Sequence, residues 1–257
     1  MIDRSRLAVN PAAAARTVRI GPEEHHEALV VDDLFVDPDY VRALALSLDF
    51  AAPRGTFPGY EARISIDPGA LLTAARRWVS PELVITPSYR NALVFSMMHE
   101  GVDAALRHYP HPHVDDHLDD GLTCFGAVVY LNPPDQCRGG TSFYRHRQTG
   151  ACENREEISP GIAAYMVEHG LRTVAEAYEH LAAVPERDPA ELVGEWGYIR
   201  GSNDTWERLA TLEMRFNRLV LFDCYLFHNP DIEDGAFGRT PDTRRLTLTT
   251  FFALPRR

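Results

Sequence analysis

The second half of the chain is a succession of short apolar runs, and their spacing limits what it can fold into. ALVFSMM (92–98), TCFGAVVYL (123–131), TSFYR (141–145), RLVLFD (218–223) and RLTLTTFFAL (245–254) are rich in β-branched and aromatic residues and are bounded by Gly, Pro, Asn and Asp. Helical patterns do not alternate with them, as a parallel sheet would require. Short strands with one long interruption predict an antiparallel sandwich or jelly roll.

The interruption runs from 147 to 216, and residues 160–184 within it read as helical, with Ile162, Tyr165, Met166, Val174, Ala177, Tyr178 and Leu181 at helical spacing. An insertion of that length suits a lid. Its aromatic residues Trp196, Tyr198 and Trp206 suit a substrate pocket or a small satellite core. Ahead of the strands, 1–27 reads as a loose, strand-poor lead-in and ALVVDDLF (28–35) as a strand. Asp37-Pro38 then opens a helix, with aspartate as N-cap and proline at the first helical position. Val41, Leu44, Ala45 and Leu48 form its apolar stripe, and a second helix over 68–79 turns Leu71, Leu72 and Ala75 inward. FPGYEARIS (57–65) reads as a loop able to reach a site, with Arg63 a substrate contact or a surface charge. The expected fold is mainly β with flanking helices (α+β). A single domain spans 1–257: residues 1–90 brace a core at 91–254, and the insertion occupies 147–216.

The charge balance narrows the partners. A formal net charge of −11 sets the bulk field against nucleic-acid phosphates and anionic membranes. No apolar run is long enough to span a bilayer, and the N-terminus, broken by Pro11, lacks the apolar centre of a secretory signal. The four cysteines, Cys124, Cys137, Cys152 and Cys224, form no CxxC pair and are expected to be free thiols in a cytoplasmic protein. A local basic pocket for a small anion is compatible with that overall charge.

Chemistry concentrates in HPHVDDH, residues 111–117. Read as HxHxD it suggests a zinc hydrolase; read as HxD, His113 and Asp115 make two thirds of an iron facial triad. Pro110 and Pro112 precede His113, which favours an extended chain, and on an extended chain residues i and i+2 share a face. His113 and Asp115 are thereby placed to share one metal, with Asp116 on the opposite face. His111 and His117 read as solvated loop residues. His228, at the end of the apolar run RLVLFDCYLF and just before Asn229-Pro230, is the best third ligand.

In order, HVDDHLDDGLTCFGAVVYLNPPDQCRGGTSFYRH, FNRLVLFDCYLFHNP and RRLTLTTFF resemble the Fe(II)/2-oxoglutarate dioxygenases, specifically their prolyl-hydroxylase-like branch. The parts carrying the resemblance are His113, Asp115, Tyr130-Leu131-Asn132, Gly139-Gly140, His228 and Arg245-Leu246-Thr247, and it covers residues 90–254 without the insertion. It implies a double-stranded β-helix (jelly-roll) core with Fe(II) held by His113, Asp115 and His228. It also implies 2-oxoglutarate and O2 as co-substrates. Arg245 would hold the far carboxylate of 2-oxoglutarate, helped by Thr247 and the Tyr130 hydroxyl. The implied reaction is hydroxylation of an unactivated C–H bond of a small molecule, amino acid or peptide side chain, with release of succinate and CO2.

Arg245 follows His228 at a longer interval than the family usually shows, which makes Arg239 and Arg244 rivals. Strand alternation favours Arg245: with Thr247, Thr249 and Phe251 it shares a polar face, opposite Leu246, Leu248, Thr250 and Phe252. Three other readings stand beside this one: a zinc hydrolase, for which the motif is one residue out of register, a cupin-type enzyme, and a non-catalytic jelly-roll binding protein.

Overall fold

The structure, a computed structural model, describes residues 2–51, 59–98, 112–115, 122–155, 158–182, 199–232, 238 and 240–255. Its elements are β1 (Ala15–Arg19), β2 (Glu27–Val31), α1 (Pro38–Leu46), β3 (Gly59–Ile64), α2 (Gly69–Trp78), β4 (Val84–Ile85), β5 (Leu93–Met98) and β6 (Leu122–Tyr130). They continue with β7 (Gly140–His146), α3 (Pro160–His169), α4 (Val174–Ala182), β8 (Trp206–Glu213), β9 (Arg218–Asp223), β10 (His228–Asp231) and β11 (Leu246–Pro255).

A large sheet has the order β1-β2-β9-β6-β11-β5-β3, with β4 paired to the end of β11, and a small sheet has the order β10-β7-β8. The strand pairings are antiparallel throughout. Side-chain alternation decides what each face meets. Along β9, Leu219 and Leu221 join a cluster with Val41, Leu44 and Ala45 of α1 and Leu71 and Ala75 of α2. Val220 and Phe222 turn the other way, onto Phe143 of β7 and Leu212 of β8. One face of the large sheet is thus covered by α1 and α2 and the other by the small sheet. A third cluster packs Ile162, Tyr165, Ala177, Tyr178 and Leu181 of α3 and α4 against Tyr144 and Trp206 of the small sheet. Burying a large apolar side chain contributes about 1.5–3 kcal/mol, so three such clusters hold the layers firmly in register.

Local signals account for the helices. Asp37 caps α1, its Oδ1 accepting from the Tyr40 N–H at 3.0 Å, and Val41, Leu44 and Ala45 are buried. In α2, Leu71 and Ala75 are buried and Leu72 is half-buried. The helical reading of the insertion resolves into two helices, because Gly170 at φ 67° ends α3 in a left-handed cap.

Three expectations need correction. The lead-in holds a strand, β1, which is largely exposed at the edge of the large sheet and so lacks an apolar signature. The stretch expected to be a loop at 57–65 contains β3, paired along its length with β5. Arg63 on it is largely exposed and pairs with Glu61 at 3.5 Å. The insertion is also shorter than expected, because β8 lies inside 147–216 yet pairs with β7 from Gly140↔Glu213 to His146↔Trp206. Polar residues interleave in WERLATLE because one face of β8 is open. Trp206 belongs to the satellite core beneath α3 and α4. Trp196 and Tyr198 lie outside the described residues. Among the described residues, no helix is long and apolar enough to cross a membrane.

Candidate metal centre and cavity

An isolated bridge joins two segments far apart in the chain. His113 and His228 exchange both backbone hydrogen bonds, N–H to carbonyl at 2.9 Å each way. The Asp115 N–H donates to the Cys224 carbonyl at 3.1 Å. Residues 113–115 therefore run extended beside the start of β10, as the spacing of the motif required, and both side chains meet His228. One donor atom from each of His113, Asp115 and His228 lies within 4.8 Å of the others.

The hydrogen bonds around His228 say what the cluster lacks. Its Nδ1 lies 2.8 Å from the Leu226 carbonyl oxygen, which can only accept, so Nδ1 carries a proton. A neutral ring then turns the Nε2 lone pair toward Asp115 Oδ2, 3.4 Å away. Two lone pairs facing each other at that distance need a cation between them, either a proton or a metal. Burial alone would raise the Asp115 carboxyl; the charge and hydrogen bond of His228, with His113 beyond, hold it below the ordinary carboxylate value. The His228 ring is wedged against Phe222 at 4.6 Å and Phe143 at 6.3 Å between ring centres. Gly126 on β6 leaves room for the carboxylate: a Cβ there would stand 3.2 Å from Asp115 Oδ2.

The cluster opens onto a cavity of about 400 Å³ between the two sheets. Arg245, Thr247, Thr249 and Phe251 line it, as the alternation along β11 anticipated. Arg245 is 5% exposed. Its Nη2 donates to the Gly140 carbonyl at 2.9 Å, Nη1 lies 3.4 Å from Met214 Sδ, and the guanidinium sits 5.1 Å above the Tyr130 ring. Among the described residues no carboxylate pairs with it. A buried guanidinium without a counter-charge is costly, and the cavity it faces can receive an anion.

The remaining expected residues are placed as follows. Thr247 lines the cavity, with its hydroxyl 3.5 Å from the Ser96 carbonyl. Tyr130 lies under Arg245, fully buried, with its hydroxyl 2.8 Å from the Thr141 hydroxyl, and Thr141 is the one of the two that reaches the cavity wall. Arg244 does not line the cavity; Arg239, His111, Asp116 and His117 lie outside the described residues. The Gly139-Gly140 pair has a steric reason. At Gly139, where φ is 69°, a Cβ would stand 1.9 Å from the Asp231 carbonyl oxygen, and at Gly140 2.1 Å from that of Leu212. Only glycines admit β10 and β8 on either side, and the turn delivers the Gly140 carbonyl to Arg245.

Two residues escaped the reading of side-chain roles. Asn132, 1% exposed, accepts from the Leu246 N–H at 2.7 Å and donates to the Arg244 carbonyl at 2.8 Å, so it grips the backbone on both sides of Arg245. Its signal was an asparagine directly after a strand. Gly126 was signalled by a glycine inside an apolar strand, which marks a close approach. The cysteines are free thiols as expected, and Cys124 and Cys224 stand side by side with Sγ atoms 2.9 Å apart.

Two antiparallel sheets enclose a cavity that carries two imidazoles, a carboxylate and a buried arginine on an otherwise largely apolar wall. The chain belongs to the family described as "Family of unknown function (DUF6445)", whose model matches residues 11–252. No curated protein matches it. Among solved structures it is similar to the "non-heme alpha ketoglutarate dependent carbocyclase SnoK from nogalamycin biosynthesis", at 14% identity and a TM-score of 0.45, over 89% of this chain and 81% of that one. It is also similar to a Pseudomonas putida prolyl-4-hydroxylase, at 13% identity and a TM-score of 0.33, over 96% of this chain and 94% of that one. Neither likeness is close enough to carry an argument about activity.

Proposed function

We propose that this chain is an Fe(II)- and 2-oxoglutarate-dependent oxygenase with a double-stranded β-helix core, which hydroxylates an unactivated C–H bond of a small molecule, amino acid or peptide side chain. One observation carries the reading: a single cavity is lined both by a two-histidine, one-carboxylate cluster and by a buried arginine without a carboxylate partner among the described residues. The donor set suits Fe(II), which takes two imidazoles and one carboxylate on one face and leaves other positions open. The order HxD, YLN, GG, His228 and RxT supports the prolyl-hydroxylase-like branch.

Bound Fe(II) with 2-oxoglutarate would supply the oxidising chemistry, in which O2 is consumed, CO2 and succinate are released and one oxygen atom enters the substrate. The chain's own residues position and insulate. His113, Asp115 and His228 hold the metal, and the Leu226 carbonyl fixes His228 in the tautomer that presents Nε2. Arg245 receives the far carboxylate of 2-oxoglutarate, its planar fork matched to two oxygens. The Thr247 hydroxyl adds a hydrogen bond from the same wall, and the Tyr130–Thr141 pair supports the guanidinium from below. Phe222 and Phe251 keep part of the wall apolar, which limits water near the reacting centre.

The test is anaerobic. Fe(II) is added to metal-free protein, then 2-oxoglutarate, and the weak visible charge-transfer band of the chelate is followed. The band should form with wild type and vanish in His228→Ala. In oxygen, succinate should then form in step with CO2. No band at stoichiometric iron would sink the proposal.

A further inference from the structure

A second set of metal-type donors lies away from the cavity. His25 and His26 occupy the turn between β1 and β2, and Glu153 follows β7, where it bridges to Leu226. One donor atom from each of the three lies within 4.8 Å of the others. His25 Nε2 is 2.7 Å from Glu153 Oε1, and His26 Nε2 is 3.5 Å from the same oxygen. The His26 side chain is only 4% exposed, yet its Nε2 makes no hydrogen bond. A buried ring nitrogen left with only a long ion-pair contact is costly, and this one is aimed at a carboxylate oxygen shared with a second imidazole. The ring is seated deliberately: a Cβ at Gly21 would stand 2.6 Å from His26 Nδ1, so only glycine leaves it that position. Glu153 is divided in its duties. Its Oε2 accepts from Arg155 Nε at 2.6 Å, and Arg155 also binds Asp223, which leaves Oε1 to the two histidines.

We propose that His25, His26 and Glu153 form a second divalent-cation site, suited to zinc, which pins the β1–β2 hairpin of the large sheet to the segment that follows β7. Two imidazoles and a carboxylate oxygen are ordinary zinc ligands, with a fourth position left for water beside the exposed His25. The role is structural, since none of the three residues lines the cavity. Zinc at this site ties together two segments that the described backbone hydrogen bonds do not join, and it raises the stability of the folded chain by mass action.

The experiment is equilibrium dialysis of metal-free, full-length protein against micromolar Zn²⁺, with the metal content measured per chain. Wild type, His25→Ala, Glu153→Gln and His228→Ala are compared, and thermal unfolding is followed with and without zinc. His25 is exposed, so its replacement leaves the fold intact. Wild type is expected to take two zinc ions, and His25→Ala and Glu153→Gln one each. The zinc-dependent rise in Tm should shrink in both, with at least tenfold weaker binding at the altered site, as partial loss of a coordination shell implies. Zinc content and Tm shifts unchanged from wild type in both variants would overturn the proposal. If wild type takes one ion and His25→Ala none, this site stands and the proposed iron centre fails.

Discussion

Two places in this molecule bring together the same donors, two imidazoles and one carboxylate, and they differ in everything around them. At His113, Asp115 and His228 the donors come from two segments of the chain paired antiparallel at one bridge, and they line a cavity shared with a buried arginine. At His25, His26 and Glu153 two ligands are sequence neighbours in a hairpin turn, and the carboxylate is half occupied by Arg155. Donor chemistry alone therefore suits both sites to a cation. Reaction would also require room for co-substrate and substrate, and among the described residues it is the first cluster that lines the cavity beside Arg245. The contrast proposed is between a centre that would hold a metal for chemistry and one that would hold a metal for structure.

The largest expected effect tests that contrast directly. His228→Ala should lower Fe(II) affinity by at least about 100-fold, beyond what loss of an outer partner of a ligand costs, and should abolish succinate formation. His25→Ala should leave both unchanged. Isothermal titration with Fe(II) under anaerobic conditions, paired with a succinate assay, separates the two. Equal losses in both variants would erase the distinction between the sites. Next in size is Arg245→Ala. A charge-assisted hydrogen bond contributes about 1.5–3 kcal/mol, and Arg245 offers two to a carboxylate, so 2-oxoglutarate should bind at least roughly 100-fold more weakly while Fe(II) binding holds. Arg245→Lys should recover only part of the loss, because a point charge does not reproduce the fork. Unchanged 2-oxoglutarate affinity in Arg245→Ala would remove the arginine from the site.

The two clusters were not equally legible in the sequence. His113 and Asp115 could be paired because i and i+2 on an extended chain share a face, and the two prolines before them made that conformation readable. Arg245 and Thr247 could be assigned to the polar side of β11 by the same two-residue period. The second cluster could not be found this way. Glu153 lies 127 positions after His26, in a stretch read as insertion, and no local period connects them. Strands read well where both faces are buried, as in β5 and β9, whose residues are buried throughout. They read poorly where one face meets solvent, as in β1 and β8, because the apolar content that marks a strand is then halved.

A third buried histidine sharpens the comparison, because among the described residues no carboxylate pairs with it. His146 is 4% exposed, with Nδ1 3.0 Å from the Thr149 hydroxyl and its ring against Trp206 and Tyr165. Burial pushes its pKa down to about 4 from an ordinary 6.5. The folded protein therefore holds this ring neutral where the unfolded chain protonates it, so stability is full above pH 6.5 and declines as pH falls toward 4. The loss attributable to this group is on the order of 3 kcal/mol. Urea unfolding of wild type and His146→Gln at pH 7 and pH 4 should show a wild-type decline that the variant largely lacks. Parallel declines would mean that the ring is not held neutral.

The smallest expected effect concerns the residue that sets Arg245 in place. Asn132 bonds the peptide groups on both sides of Arg245, the Arg244 carbonyl and the Leu246 N–H. Asn132→Ala leaves both without that partner, and each unsatisfied buried group costs about 1–3 kcal/mol, so β11 should relax where Arg245 enters the cavity. The expected result is a rise of about tenfold in KM for 2-oxoglutarate, equivalent to about 1.4 kcal/mol, with kcat and Fe(II) affinity near wild type. Asn132→Asp keeps an acceptor for Leu246 but loses the donor to Arg244, and should fall between the two. A drop in Tm with unchanged KM would make Asn132 a structural residue only and would leave Arg245 held by Gly140 and Tyr130. A selective effect on KM would place one asparagine, through its grip on the backbone either side of Arg245, in charge of how a buried cation meets its anion.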